Sequence, residues 1–528
     1  MGVADRLVQH LAERVPWGLD GERTDISEAL SAGVPSPRVL IVGAGFGGIG
    51  MAMRLRQAGI DTFTIVDKAD GIGGVWRDHT YPGAACDVPS HLYSFSFRTE
   101  PGWSRRFAPQ DEILAYLERC VADHGLTPHL RLGTEVAELT WDDDDERWSA
   151  RTTDGEVLEA EVVVCALGQL NRPRLPDVPG RDDFAGTAFH SARWDHGHRL
   201  DGERVGVIGT GASAIQFVPP VAAAAGHTTV FQRTPAWVLP KRDTVYTRRQ
   251  RWAFAHLPLV ERAYRWWTYW SFEGRFTVLR RAGRLEALGR ARFTEALDEA
   301  VVPAATAKGV PRHALVPDEP LGCKRLLQSN DWYPALLRDD VDVVTAPIER
   351  IVADGVVTAD GVHHRLDTLI YGTGFAATDF LAPMRVVGRK GVELDEAWRD
   401  GARAYLGMAV AGFPNLFLLY GPNTNLGHNS IVFMLEAQIH WILEVVRDLV
   451  ASNLTSVEVR PEAQDRDDAE VQAAAAGTVW AGDCRSWYKD ASGRITNNWP
   501  HFTVEYWRRT RRVRRADLRR RARGVGSG

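Results

Sequence analysis

Three observations predict an α/β fold with two interleaved Rossmann-like units and an all-helical insert. The run Arg38-Val-Leu-Ile-Val-Gly43 is a short β-branched stretch of the kind buried in a parallel sheet. It flows into the turn Gly43-Ala-Gly45-Phe46-Gly-Gly48, and the same arrangement recurs where Arg204-Val-Gly-Val-Ile-Gly209 opens into Gly209-Thr-Gly211-Ala-Ser213-Ala214. Residues 241–321, rich in Arg, Ala, Leu and aromatics, show no strand alternation and read as helical.

The first unit continues with a helical pattern through Met51, Leu55 and Ala58, closed by Gly59. Its second strand, Phe63-Thr-Ile-Val-Asp67, ends in an acid. In the second unit the corresponding strand, Thr228-Thr-Val-Phe-Gln-Arg233, ends in a base. Gly43 to Asp67 and Gly209 to Arg233 are both 24 positions apart, so one supersecondary unit is present twice. Short strands are expected around 341–345 and 356–357, then a strand and glycine turn at Leu366–Phe375 and a long helix from about Ser430. Residues 1–37 read as a polar, partly helical leader. The expected division is a first unit from 35–170 and 375–528, a second from 171–240 and 322–374, and the helical insert 241–321 between them.

Composition bounds the function. A chain of 528 residues suggests two to four domains, and 45% hydrophobic with 25% charged residues excludes a disordered or fibrous chain. The net charge is −5, but residues 508–528 hold ten Arg and one acid, leaving 53 basic against 67 acidic groups elsewhere. The body is therefore not expected to bind nucleic acid, and the Arg-rich tail reads as a solvated helix. Cys86, Cys120, Cys165, Cys323 and Cys484 are odd in number and form no CxxC, which argues for a reducing compartment, the cytoplasm, and against disulfides or a metal site. The N-terminus lacks an apolar signal core, and no stretch of about 20 apolar residues predicts a membrane span. The cluster Trp266-Trp-Thr-Tyr-Trp270 reads as helix packing in preference to a substrate cage.

The glycine turns carry the chemistry. In a GxGxxG turn the glycines serve the tight bend, close approach to a pyrophosphate and helix–strand packing. Gly43, Gly45 and Gly48, with Phe46 between them, have a strand before, a helix after and Asp67 at the distance where a carboxylate accepts from a ribose 2′-OH, with Lys68 beside it. The second turn, with Gly209, Gly211, Ser213 and Ala214, is followed by Arg233-Thr234, and a base there suits a 2′-phosphate. One acid-tipped and one base-tipped site imply FAD plus NADPH and hydride transfer between them. The segment from Gly73 to Asp87 holds one Cys, so a dithiol relay is excluded there and oxygen is left as acceptor.

These motifs resemble the Baeyer–Villiger monooxygenases, a family of class B flavoprotein monooxygenases, over roughly residues 35–510. Phe184-x-Gly186-x3-His190-x3-Trp194-Asp195 matches the family fingerprint, and Gly73-Gly74-x-Trp76-x4-Tyr81-Pro82-Gly83-x3-Asp87 matches a second one. Leu321-Gly-Cys-Lys324-Arg325 resembles its Lys-Arg pair, and Tyr371-Gly-Thr-Gly-Phe375 its ATG-type turn. The resemblance implies that NADPH reduces FAD, that O2 then forms a C4a-peroxyflavin, and that this attacks a ketone to give an ester or lactone. It implies that Arg325 stabilises the developing anion with Asp87 as its carboxylate partner, and that Lys324 binds the 2′-phosphate with Arg233 and Thr234. Gly74, Trp76, Tyr93 and Val136 resemble flavin-contacting positions, and Trp487 lies in a segment resembling the mobile control loop. Phe184, Gly186, His190, Trp194 and Asp195 fall on a linker coupled to domain movement, so His190 is expected to be a hinge residue.

The chain departs from the pattern at Arg77-Asp-His79 after Trp76, at Pro89, and in the continuation Lys489–Pro500 of the control-loop segment. Gly421-Pro-Asn-Thr-Asn425-Leu-Gly-His428 is kept, and together these features resemble the hydroxyacetophenone-type branch more than the cyclohexanone-type branch. Two other chemistries use the same residues: oxidation of N or S atoms of small molecules, and an uncoupled NADPH oxidase. A flavin redox sensor using the Arg tail is a further reading. The oligomeric state has no sequence signal.

Overall fold

A computed structural model describes residues 34–280, 283–483 and 486–523 of the protein. Most of the expected leader, Cys484 and the last five residues of the tail lie outside the described residues.

The strand Val39–Val42 is buried at every position because it is the middle of a five-stranded parallel sheet. The sheet order is Leu416–Leu418, Val162–Cys165, Val39–Val42, Phe63–Val66, Leu130–Arg131. Strands buried on both faces carry no polar alternation, which is why this run reads as continuously apolar. The helix Phe46–Gln57 packs over the sheet, and small residues let it come close. A Cβ on Gly50 would stand within 3.0 Å of Phe95 and of Ile439 on the long helix Ile431–Ala451. That helix starts at Ser430, whose hydroxyl caps the Val432 amide.

The second sheet repeats the plan: Val341–Val344, His227–Phe231, Arg204–Ile208, Thr368–Tyr371, Thr187–His190, all parallel. In the first sheet the chain starts in the middle, runs outward through Phe63–Val66 and Leu130–Arg131, then crosses to Val162–Cys165 and Leu416–Leu418; the second sheet is entered at the edge strand Thr187–His190, runs from the central Arg204–Ile208 outward to Val341–Val344, and returns to Thr368–Tyr371. The helix Ala214–Ala224 follows the second glycine turn and contains Pro219 and Pro220. Pro220 withdraws the amide that would have bonded the Gln216 carbonyl. Gly83 of the first unit packs against that carbonyl: a Cβ there would stand 2.7 Å from it.

Among the described residues, 241–321 contain helices and no named strand: Arg248–His256, Pro258–Glu273, Arg284–Ala300 and Val302–Ala307 are the α-helices. The helix Pro258–Glu273 is anchored by Arg265. Its buried guanidinium donates to the His91 carbonyl, to the Ser94 carbonyl at 2.9 Å and to Ser94 Oγ at 3.1 Å. Buried Glu436 accepts from the Ser96 amide and hydroxyl at 2.5 and 2.6 Å; burial pushes its carboxyl pKa up, and Arg265 opposes that shift.

Three expectations are corrected. Cys323 is disulfide-bonded, whereas Cys86, Cys120 and Cys165 are free and buried. A spacing test sees only neighbours in sequence, so a pairing made by the tertiary fold escapes it. The tail is not a solvated helix: after the short helix Thr503–Thr510 the strand Leu518–Ala522 pairs antiparallel with Leu454–Val459. Arg509 meets Asp467 and Glu470, and Arg515 and Arg520 both reach Asp448, at 2.7 and 2.8 Å. The Trp266–Trp270 cluster is not packing: Tyr269 is buried, but Trp266, Trp267 and Trp270 are exposed. No helix among the described residues is long and apolar enough to cross a membrane.

Replacing Arg265 by Met removes the cation that most offsets the burial of Glu436, at a cost of about 3–5 kcal/mol. Calorimetry of R265M should show a thermal midpoint several degrees below wild type, and E436Q in the same background should recover part of the loss.

Candidate active site

The two glycine turns meet distinct physical demands. Gly43 has φ +112, and a Cβ there would stand 2.5 Å from the Ala166 carbonyl oxygen. A Cβ on Gly48 would lie 1.9 Å from the Gly43 carbonyl, so this glycine lets the helix close onto the strand. Gly45 has nothing nearer than the Gly74 Cα at 3.8 Å. Bend, packing and open approach are thus divided among three glycines at a helix N-terminus, the geometry that takes a pyrophosphate.

The surroundings suit the rest of a dinucleotide. Asp67 accepts from the Ala44 amide at 2.8 Å and the Ala69 amide at 3.0 Å, which fixes its carboxylate beside the turn; lone pairs remain for hydroxyl donors. Lys68 beside it is exposed. Phe46 opens the helix and meets Tyr93 edge-on at 5.1 Å, and Trp76 Nε1 donates to Tyr93 Oη at 3.2 Å. Val136 packs in the core with Leu40, Val42 and Val66, so only its backbone is left to meet a ligand.

The second turn repeats the division. A Cβ on Gly209 would stand 2.4 Å from the Gly372 carbonyl, whereas Gly211 is open to 4 Å. Ser213 is the N-cap residue of the following helix, and buried Ala214 replaces the third glycine. Arg233 and Thr234 are exposed at the strand end, and Lys324 arrives from 90 residues away to donate to Thr234 Oγ1 at 2.8 Å. Lys324 also pairs with Glu319 at 2.8 Å.

Arg325 donates through Nε and Nη2 to Asp87 Oδ2, at 3.0 and 2.6 Å. The pair joins residues 238 positions apart. Asp87 raises the Arg325 pKa further, so the guanidinium is a fixed cation and never a base. Buried Tyr488, whose own pKa burial pushes up to about 12, and Tyr420 lie within electrostatic reach of Arg325. Asp87 also lies within electrostatic reach of Arg275, whose guanidinium lies over the Phe272 ring at 3.5 Å.

Sequence reasoning did not find Arg275 or Tyr420. Arg275 sits in a stretch with no motif. Tyr420 did carry a signal, since it immediately precedes the Gly-Pro-Asn segment and holds φ +61, a conformation that is strained for a bulky residue.

The linker motif lies along the seam of the two units. His190 ends the strand Thr187–His190, in register with Tyr371. Burial lowers its pKa to about 4, so it is neutral at neutral pH. Its ring meets Phe375, and Phe375 stacks at 5.1 Å on His79 of the first unit. Gly186 lies where a Cβ would stand 2.3 Å from the Asp367 carbonyl and 2.8 Å from the Phe184 ring. Trp194 touches Phe189 and Phe217, and Asp195 accepts from the Gly197 amide at 2.9 Å. Trp487 lies against Tyr488, ring centroids 4.6 Å apart.

A family model described as pyridine nucleotide-disulphide oxidoreductase matches residues 40–250. A Baeyer–Villiger monooxygenase of Streptomyces coelicolor is 44% identical over 478 residues, 90% of this chain and 91% of that protein. One from Pseudomonas aeruginosa is 41% identical, over 90% and 89%. The chain belongs to the Baeyer–Villiger monooxygenases. Among solved members, a steroid monooxygenase bound to NADP matches with TM-score 0.80 and 31% identity, over 93% of this chain and all of that one. Cyclohexanone monooxygenase from Rhodococcus sp. Phi1 bound to NADP+ matches with TM-score 0.81 and 30% identity, over 92% and 99%. The structure puts the segment 73–87 and the strand Thr187–His190 at the seam between its two sheets.

Gln216 is the polar clasp of that seam. It accepts from Tyr81 Oη and donates to the Ala85 carbonyl, both at 2.9 Å. Q216A strands both partners, costing about 1–3 kcal/mol. Steady-state kinetics should show turnover falling with flavin content unchanged, and Q216E, which still accepts from Tyr81, should fall less.

Proposed function

We propose that this monooxygenase inserts one atom of O2 beside a ketone carbonyl, giving an ester or lactone, with FAD and NADPH. Ketone, O2, NADPH and one proton yield the ester, NADP+ and water, so electrons and atoms balance. The observation that carries this reading is the Asp87–Arg325 pair set between two complete dinucleotide turns.

The first unit, 35–170 with 375–528, takes FAD. Gly45 admits the pyrophosphate, Asp67 meets the ribose, and Trp76 and Tyr93 stand near the turn. The second unit, 171–240 with 322–374, takes NADPH, with Gly211 as the open approach and Arg233, Thr234 and Lys324 around the 2′-phosphate. The bound flavin, reduced by the nicotinamide, supplies the activation of O2.

Every other part belongs to side chains. Asp87 accepts both bonds from one side of the Arg325 fork, which holds the guanidinium plane and leaves Nη1 outside the ion pair. A fixed cation placed where negative charge develops lowers the barrier without reorganising, and attack on a ketone carbonyl develops such charge on its oxygen. His190, neutral and buried, hinges the units and transfers no proton. The dependence on NADPH supports a place in the cytoplasm.

R325A should lower ketone oxygenation by about 10²–10³-fold. The test is rapid mixing of the NADPH-reduced enzyme with 18O2 and a ketone panel, reading ester mass and peroxide. One 18O in the ester for wild type and peroxide alone for R325A is the expected result. Oxygen transfer to sulfides or amines but to no ketone, or peroxide alone from wild type, would overturn the reading. K324A loses one charge-assisted contact to the 2′-phosphate, so the KM for NADPH should rise about tenfold while that for NADH stays put.

A further inference from the structure

The geometry points to a second function for the helical insert: it docks the enzyme on an anionic phospholipid bilayer. The helix Pro258–Glu273 is apolar on two faces. One, with Thr268, Tyr269 and Phe272, is buried against the rest of the molecule. The other follows the helical period through Leu259, Ala263, Trp266, Trp267 and Trp270, and faces solvent. Leu259 is 64% exposed, Trp266 48%, Trp267 55% and Trp270 40%. The preceding helix, Arg248–His256, packs beside it and adds Trp252 at 57%, with Leu257 and Val260 exposed at the junction. Seven large apolar side chains exposed within 19 residues are far from the scattered single exposures of an ordinary surface.

Charge selects the occupant. Between Thr244 and Phe272 the only acid is Glu261, and it is buried toward Thr99 Oγ1 at 3.2 Å. Arg248, Arg249, Arg251 and Arg262 are exposed. Glu100, which lines a cavity of about 400 Å³ with Arg248, Arg251 and Trp252, is paired with Arg119 at 2.9 Å. The surface therefore combines tryptophan and leucine with an excess of arginine over acids, although the whole chain carries net charge −5. Tryptophan favours the bilayer interface, where its ring is buried and its N–H stays wet. Exposed arginines beside such rings are the pattern of segments that lie in the headgroup region without spanning. A second copy fits poorly, because a face with more arginines than acids repels its own image.

The test uses the full-length holoenzyme with vesicles of phosphatidylcholine alone or with one third phosphatidylglycerol, read by co-sedimentation and tryptophan emission. Binding to the anionic vesicles, weakened by salt, with a blue shift in emission is expected. W266S/W267S/W270S should lose the blue shift and most binding, and R248E/R249E/R251E should lose at least about fivefold per arginine. NADPH oxidation in buffer, unchanged in both variants, shows that they are folded. Three results would overturn the proposal: no sedimentation with anionic vesicles, equal binding by the variants, or retention by single-stranded DNA in place of vesicles. A dimer in sedimentation velocity that the tryptophan variant dissolves, with no vesicle binding by wild type, would give the face to a second copy.

Discussion

The bond between Asp87 and Arg325 can form only when two separately wound sheets meet. Asp87 ends the loop that follows the first glycine turn, and Arg325 enters the second unit just after the helical insert. At the exposure of these side chains, 27% and 30%, the ion pair itself stabilises little. Its importance is positional, since it sets a cation at a stated place between the turns. The remaining contacts of the seam can be understood as holding that place.

Those contacts come from the loop 73–87 and from the second sheet's helix and final turn. Tyr81 and the Ala85 carbonyl share Gln216, Gly83 lies against the carbonyl that Pro220 has left without an amide, and His79 stacks on Phe375. Each uses a residue type for a geometric reason: a proline to free an acceptor, a glycine to approach it, an amide to bond both ways. Beside them Tyr81 and Ala84 are buried in the second unit's apolar core with Phe217 and Val218, so polar, aromatic and apolar contacts together tie the units.

The insert is held differently. Arg265 and Glu436 are buried charges whose hydrogen bonds run to the backbone and hydroxyls of residues 91–96, and Glu273 accepts from Thr503, from the Val504 amide and from Asn429. Buried charge that is well satisfied specifies a unique docking, because any shift leaves an ion without partners. That rigidity presents one face of the helix Pro258–Glu273 outward as a fixed surface.

Local pattern was enough to read the two strand–glycine–helix units, the acid and base ending their second strands, the helical insert and the long helix from Ser430. Each depends on residues within about 25 positions of one another, where spacing and backbone sterics decide the outcome. The pairing of Lys324 with Thr234 and of Arg325 with Asp87 was legible only through a resemblance of motifs. What tertiary structure alone decided has one physical cause: contacts between distant segments leave no period in the chain. A disulfide at Cys323 needs a partner brought near by the fold. The tail arginines become ion pairs because the strand Leu518–Ala522 finds an edge at Leu454–Val459. A run of three tryptophans within five residues looks the same whether packed or exposed, and only the orientation of its helix, set by Arg265 on the opposite face, turned those rings to the outside.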